Sequence, residues 1–214
     1  MKSSVPGYIY DNKFDRESLQ QGDVIKVQNE LINKFNEFYP TLNHTDQRND
    51  QFVMILSQTC DLVRTKKRKL KIDHINLCLV RTIDSLIRRT IENHQGDMDK
   101  SFYKETSKKL SRLINNSETK FHFFLPKIEG VFPKDMISIL SLNYAFRTNE
   151  FYELFLSNRV ASLKSEFRAK IGMILSAFYG RVATQDLSEQ GWTDEDCSQY
   201  VNQLIANEVA KYQG

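Results

Sequence analysis

Cysteine, proline and glycine are scarce, at three, four and eight among 214 residues. Cys60, Cys78 and Cys197 are odd in number and lack CxxC spacing. That excludes a disulfide framework and a zinc knuckle and points to a reducing cytoplasm. No apolar run approaches the roughly 18 residues of a membrane span. The opening Met1-Lys2-Ser3-Ser4-Val5-Pro6-Gly7-Tyr8 has no apolar leader core. A cytoplasmic chain with no membrane contact is expected. The net charge of +3 is too small to imply nucleic acid by itself. GxSxG, P-loop and HExxH patterns are absent, as are internal repeats. His44, His74, His94 and His122 are dispersed, so neither a metal site nor a cofactor is expected.

What is present centres on residues 52–62. Phe52-Val53-Met54-Ile55-Leu56 is short and wholly apolar, which suits a strand buried on both faces. It stops at a small polar corner, Ser57-Gln58-Thr59-Cys60-Asp61. Upstream, Gln21-Gly22-Asp23 is a turn signal and residues 23–27 read as a strand. Leu31, Ile32, Phe35 and Phe38 then mark a short amphipathic helix ended by Pro40. Strands are also expected near 75–80, 120–125 and 135–140. Ile83, Leu86, Ile87 and Ile91 begin a helical stretch over 82–116 that is interrupted at Gln95-Gly96. In the last third, Val160, Leu163, Phe167, Ile171, Ile174 and Phe178 form one helical stripe. Arg159, Arg168 and Arg181 read as its polar rim, with Arg181 alternatively lining a site at the helix end. Thr193-Asp194-Glu195-Asp196 opens a final helix with a cap and an acidic first turn.

Two features carry candidate chemistry. Cys60 beside Asp61 reads either as a buried thiol with a turn-capping aspartate or as a nucleophile. The first is favoured because free cysteine is commonly buried; the second needs a histidine, and His74 and His122 are the candidates. The second feature is the basic run Arg64, Lys66, Lys67, Arg68, Lys69 and Lys71, joined by Arg81, Arg88 and Arg89. It suits a phosphate backbone, since each cation that neutralises a phosphate releases a counterion. It equally suits a solvated hairpin loop with a protective charge run.

Residues Gly22-Asp23-Val24, Ile55-Leu56-Ser57-Gln58-Thr59-Cys60-Asp61-Leu62 and Arg159-Val160-Ala161-Ser162-Leu163 through Arg181 resemble a group of small bacterial proteins. That group carries a GD(I/V) strand, an SQTCD(I/L) strand end and an arginine-rich C-terminal helix, often within mobile or defence-associated operons. It lends a setting but no activity. Residues 21–82, with Gly22-Asp23-Val24-Ile25, a strand ending Leu56-Ser57 and then Leu79-Val80-Arg81-Thr82, are similar to the start of a MazF/PemK-like toxin barrel. That resemblance implies an SH3-like barrel and RNA cleavage by an arginine and a threonine. Gln51 stands where the arginine belongs, Arg48 lies just upstream, and Thr82 stands near the threonine position.

The fold expectation is therefore α+β. A small SH3-like, partly open β-barrel occupies residues 1–148, with a helical insertion at 82–116, and a C-terminal helical region (149–214) packs on it. The function expectation is an accessory or effector subunit of a bacterial anti-phage defence or toxin-type operon. It would bind a protein partner from the same operon, or RNA or DNA, through Ser57, Gln58, Thr59, Arg64, Lys66, Lys67, Arg68 and Lys69. The alternative is a metal-independent endoribonuclease drawing on Cys60, Asp61, Arg48, Arg81 and Thr82. The C-terminal stripe offers a surface for homo-oligomers.

Overall fold

The apolar run at Phe52 lies inside the sheet, two strands from one edge and three from the other. In the computed structural model, residues 8–28, 30–40, 51–64, 70–117, 121–180, 193, 195–196 and 198–200 are described. In chain order they form β1 (Val24–Lys26), α1 (Glu30–Phe38), β2 (Phe52–Ile55), α2 (Thr59–Leu62), β3 (His74–Thr82) and α3 (Ile83–Glu92). There follow α4 (Lys100–Ile114), β4 (His122–Leu125), β5 (Met136–Arg147), α5 (Thr148–Ser157), β6 (Arg159–Ala161) and α6 (Ser165–Tyr179). The chain divides into two compact units, residues 1–176 and 177–214.

The six strands make one antiparallel sheet in the order β4-β5-β3-β2-β1-β6. The fold is thus α+β, and where a partly open barrel was expected the sheet is not closed: β4 and β6 remain its two edges. Period-two alternation sorts β2 between two cores. Phe52 and Met54 join Val24, Cys78, Val80, Leu163, Ile171 and Ile174 on the α6 side. Val53 and Ile55 join Leu31, Phe35, Leu77, Phe146, Phe151 and Phe155 on the α1 and α5 side. Tilted and edge-on rings bind that second core, with Phe35 and Phe146 centroids 4.5 Å apart. A third, smaller cluster of Leu113, Phe124 and Ile137 fastens α3 and α4 to the β4–β5 end.

The continuous helical stripe expected from Val160 is broken. Arg159–Ala161 is β6, paired with β1, and the helix begins only at Ser165. Helical spacing at Val160 and Leu163 lost to the open edge of β1, whose backbone groups need partners. Arg159 is likewise no polar rim. Its guanidinium is buried, 2.8 Å from the buried carboxylate of Asp23, and it lies over the Phe14 ring.

The β4 edge is closed by a side chain. Asn116, 4% exposed, accepts from the Phe124 N–H at 2.6 Å and donates to the Phe124 carbonyl at 3.2 Å. Its carboxamide thus stands in for a strand and blunts the edge. Its backbone sits at φ 48°, a left-handed conformation that asparagine tolerates well. Asn116→Ala should cost about 2–4 kcal/mol, because two buried backbone groups lose their partners. Asn116→Gly, which relieves the backbone but not the hydrogen bonds, should stay destabilised in thermal melts. A wild-type melting temperature for Asn116→Gly would refute the edge-cap role.

In the second unit, Thr193 Oγ1 accepts from the Asp196 N–H at 3.2 Å, and the Asp196 carboxylate accepts from the Thr193 hydroxyl and N–H. Those Thr193 bonds hold the Asp196 carboxyl below the usual carboxylate range. This is the reciprocal pattern of a helix start.

Candidate functional site

The polar corner at 57–61 divides into structural and open residues. Ser57 is buried and its hydroxyl accepts from the Asn76 N–H at 2.9 Å, tying the end of β2 to β3. Thr59 Oγ1 accepts from the Gln21 N–H at 3.2 Å, and the Gln21 side chain donates to the Leu56 carbonyl at 2.8 Å. Gln58 is exposed. So is Cys60, against the expectation of a buried thiol. The thiol lies 3.6 Å from Gln58 Oε1 and 3.7 Å from Asp61 Oδ1. No histidine is among the described residues lining its groove. Asp61 faces Lys71 at 3.8 Å, and its Oδ1 lies 3.7 Å from the Cys60 thiol.

Arg64, expected as a ligand-binding cation, is held by the protein. Its guanidinium pairs with Glu153 and lies 3.8 Å from the centre of the Tyr152 ring, fixing the end of the corner to α5. Lys66, Lys67, Arg68, Lys69 and Arg48 lie outside the described residues.

Arg81 and Thr82 have a different setting. Strand register puts Leu79 opposite Ile139 and Arg81 opposite Ile137, with His122 opposite Ile139 across β4. Directly opposed residues share a sheet face, so these side chains form one surface. On β5, Leu140, Ser141 and Leu142 have no partner on β3, and this bulge raises Ser141 and Leu142 beside that surface. The third wall is α3, which presents Ser85, Leu86, Arg88 and Arg89 at helical spacing. The result is a cleft of about 840 Å³ with an apolar floor and a cationic wall.

Its electrostatics favour an anion. Arg81, Arg88, Arg89 and His122 line it, and no aspartate or glutamate does among the described residues. Asp84, in the first turn of α3, is occupied by Lys134 at 2.5 Å. Burial pushes the Arg81 guanidinium's pKa down, opposed by nearby Tyr144; a guanidinium keeps its proton regardless. Thr82 and Ser85 hydroxyls lie 2.8 Å apart at the N-terminus of α3. The helix dipole there favours negative charge, while the Ile83 N–H is taken by the Asp135 carbonyl at 3.0 Å. Phe121 and Leu142, 40% and 42% exposed, stand among the lining as large apolar surface left in water.

Sequence reading found Arg81, Thr82, Arg88 and Arg89 but assigned them to different ideas, and it linked His122 to Cys60. Ser85 and Phe121 were missed. The signal for Ser85 was its place one helical turn before Arg88 and Arg89; Phe121 carried none until the bulge in β5 was known.

Among the described residues no cluster of three or more histidine, cysteine, aspartate or glutamate side chains could hold a metal ion. No helix among them is long and apolar enough to cross a membrane. No protein-family model, curated protein or solved structure matches this chain.

Proposed function

We propose that this chain is a nucleic-acid-binding subunit whose working surface is the cleft between α3 and the β3–β5 sheet face. The observation that carries the reading is the gathering of Arg81, Arg88 and Arg89 with the Thr82 and Ser85 hydroxyls around one acid-free cleft. Arginine forks match phosphate oxygens, and the hydroxyls add neutral donors. Among the described residues the Arg88 and Arg89 side chains have no ion-pair partner, so phosphates need displace nothing. The wider setting is an accessory or effector role in a bacterial anti-phage defence or toxin-type operon, with a protein partner from that operon. That setting rests on the SQTCD resemblance, and co-purification from the native host tests it.

Fluorescence anisotropy with labelled RNA and DNA oligonucleotides reads the cleft directly. The double substitution Arg88→Gln/Arg89→Gln should weaken binding about tenfold or more at low salt and lower the salt slope by about two. Both residues are exposed on α3, so the melting temperature should hold. Unchanged affinity and slope would remove the cleft as the site.

A second reading, metal-independent RNA cleavage, is favoured by one observation: Arg81, Thr82 and His122 line the same cleft. In such a reaction a base takes the proton of the ribose 2′-OH, that oxygen attacks the adjacent phosphorus, and the 5′-oxygen leaves with a proton. End-labelled RNA incubated with a chelator separates the readings. Intact RNA supports binding alone, whereas 2′,3′-cyclic phosphate ends lost in His122→Ala support cleavage.

A further inference from the structure

Cations are only half of the cleft between α3 and the sheet. Leu79, Ile137 and Ile139 give it an apolar floor, and Phe121 and Leu142 stand in its lining 40% and 42% exposed. The Leu140 N–H donates to the Phe121 carbonyl at 2.7 Å, so the bulge that raises Leu142 also holds Phe121 beside it. The exposed cations, Arg88 and Arg89, stand on α3, whereas Arg81 and His122 on the strands are half-buried. Exposed charge and exposed apolar surface therefore face the same space from different elements.

Phosphates alone have no use for that apolar surface. A duplex turns its sugar-phosphate backbone outward and keeps its bases stacked inside, so docking it here would leave Phe121 and Leu142 against charge or water. An unpaired strand has the matching halves. Its phosphates suit the arginines, and its base faces, free to turn, suit an aromatic ring and an apolar floor. The volume agrees, since about 840 Å³ falls within the about 300–1,000 Å³ of pockets that enclose a small molecule. Such a space takes a splayed nucleotide rather than the side of a rod.

We propose that the cleft selects single-stranded nucleic acid, with a base against Phe121 and Leu142 and the flanking phosphates on Arg88 and Arg89; this rests on the reading of the cleft as the nucleic-acid site. Every base has a π-face, so the contact is tolerant of sequence. The test removes bases without removing phosphates. Anisotropy titrations at fixed salt compare a labelled single strand, the same strand with abasic spacers throughout, and a hairpin duplex, each as RNA and as DNA.

On the backbone that binds, the abasic strand should bind about tenfold or more weakly than the base-bearing one, because base–aromatic stacking is lost. Its salt slope should be unchanged, since its phosphates are. The duplex should also bind more weakly than the single strand, despite its denser charge. Phe121→Ala should cost the base-bearing strand about as much as base removal does, and the two losses should not add. The strand comparisons use the wild-type protein alone, so they decide even where a variant loses its melting transition. Equal affinity for base-bearing and abasic strands, a duplex bound as tightly as the single strand, or additive losses overturn the proposal. If Arg88→Gln/Arg89→Gln still weakens binding in those cases, the cleft stands as the site and only its selectivity is refuted. Strands that ignore that double substitution remove the site, and the proposal with it.

Discussion

Asp23→Ala is expected to lower stability by about 3–5 kcal/mol, because it strands a buried guanidinium. Arg159 donates to Asp23 at 2.8 Å and to the Ser18 carbonyl at 2.8 Å, and also to the Asp15 carbonyl. Asp23 in turn accepts from the Gln20 N–H at 2.8 Å. The pair therefore ties the N-terminal segment, β1 and β6 at one buried point. Both side chains are essentially inaccessible, at 0% and 2%. In such a setting desolvation offsets most of the attraction, so the pair itself is worth little and its halves are worth much. Asp23→Leu combined with Arg159→Met should accordingly recover most of what either loses alone.

The same site carries a pH signature. Burial pushes the Asp23 carboxyl above its ordinary value, with Arg159 pulling it part of the way back. A folded-state value raised above the unfolded one means that the contribution is complete below the ordinary carboxylate range. It is lost as pH rises through the raised value. The stability advantage of wild type over Asp23→Asn should therefore be greatest at the acid end and shrink with rising pH, as chemical denaturation at a series of pH values would show. An advantage that grows with pH would mean Arg159 outweighs burial.

Gly22→Ala is the second large effect, at about 2–5 kcal/mol from left-handed strain plus overpacking. Gly22 holds φ +81°, and a Cβ there would meet Leu163 Cδ1 at 2.9 Å. Neither neighbour yields easily. Leu163 is fully buried, and the Gly22 N–H is bonded to the Ile55 carbonyl at 2.8 Å. Adding Leu163→Ala removes the clash at the cost of a cavity, so the double variant should be less destabilised than the two single losses summed. Strict additivity in urea melts would place the whole effect in the backbone.

Both effects fall on Gly22-Asp23, a pair that reads in the sequence as a turn signal and gives no hint of its partners. Those partners, Leu163 and Arg159, sit in the stretch whose apolar spacing reads as helix. The period was misleading because three residues are too few to show strand alternation, and because the need came from the edge of β1. By contrast β2, α1, α3 and α4 were legible. The run at 52–56 is too short and too apolar for anything but a strand covered on both faces. The helices have long periodic stripes. Of the candidate site, the cations were visible but their assembly was not, since the cleft depends on cross-strand register and on the bulge at Leu140–Leu142. The corner at Ser57–Asp61 stood out for composition, yet Ser57 and Thr59 spend their hydroxyls on backbone N–H groups.

Photocrosslinking of a bound 4-thiouridine oligonucleotide, with the adducts mapped by mass spectrometry, tests the proposed placement of nucleic acid in the arginine cleft. Adducts are expected on the peptides carrying Arg81 to Arg89 and Phe121-His122, reduced when Arg88 and Arg89 are replaced. Adducts confined to residues 64–71, or none at a concentration that saturates the anisotropy signal, would contradict it.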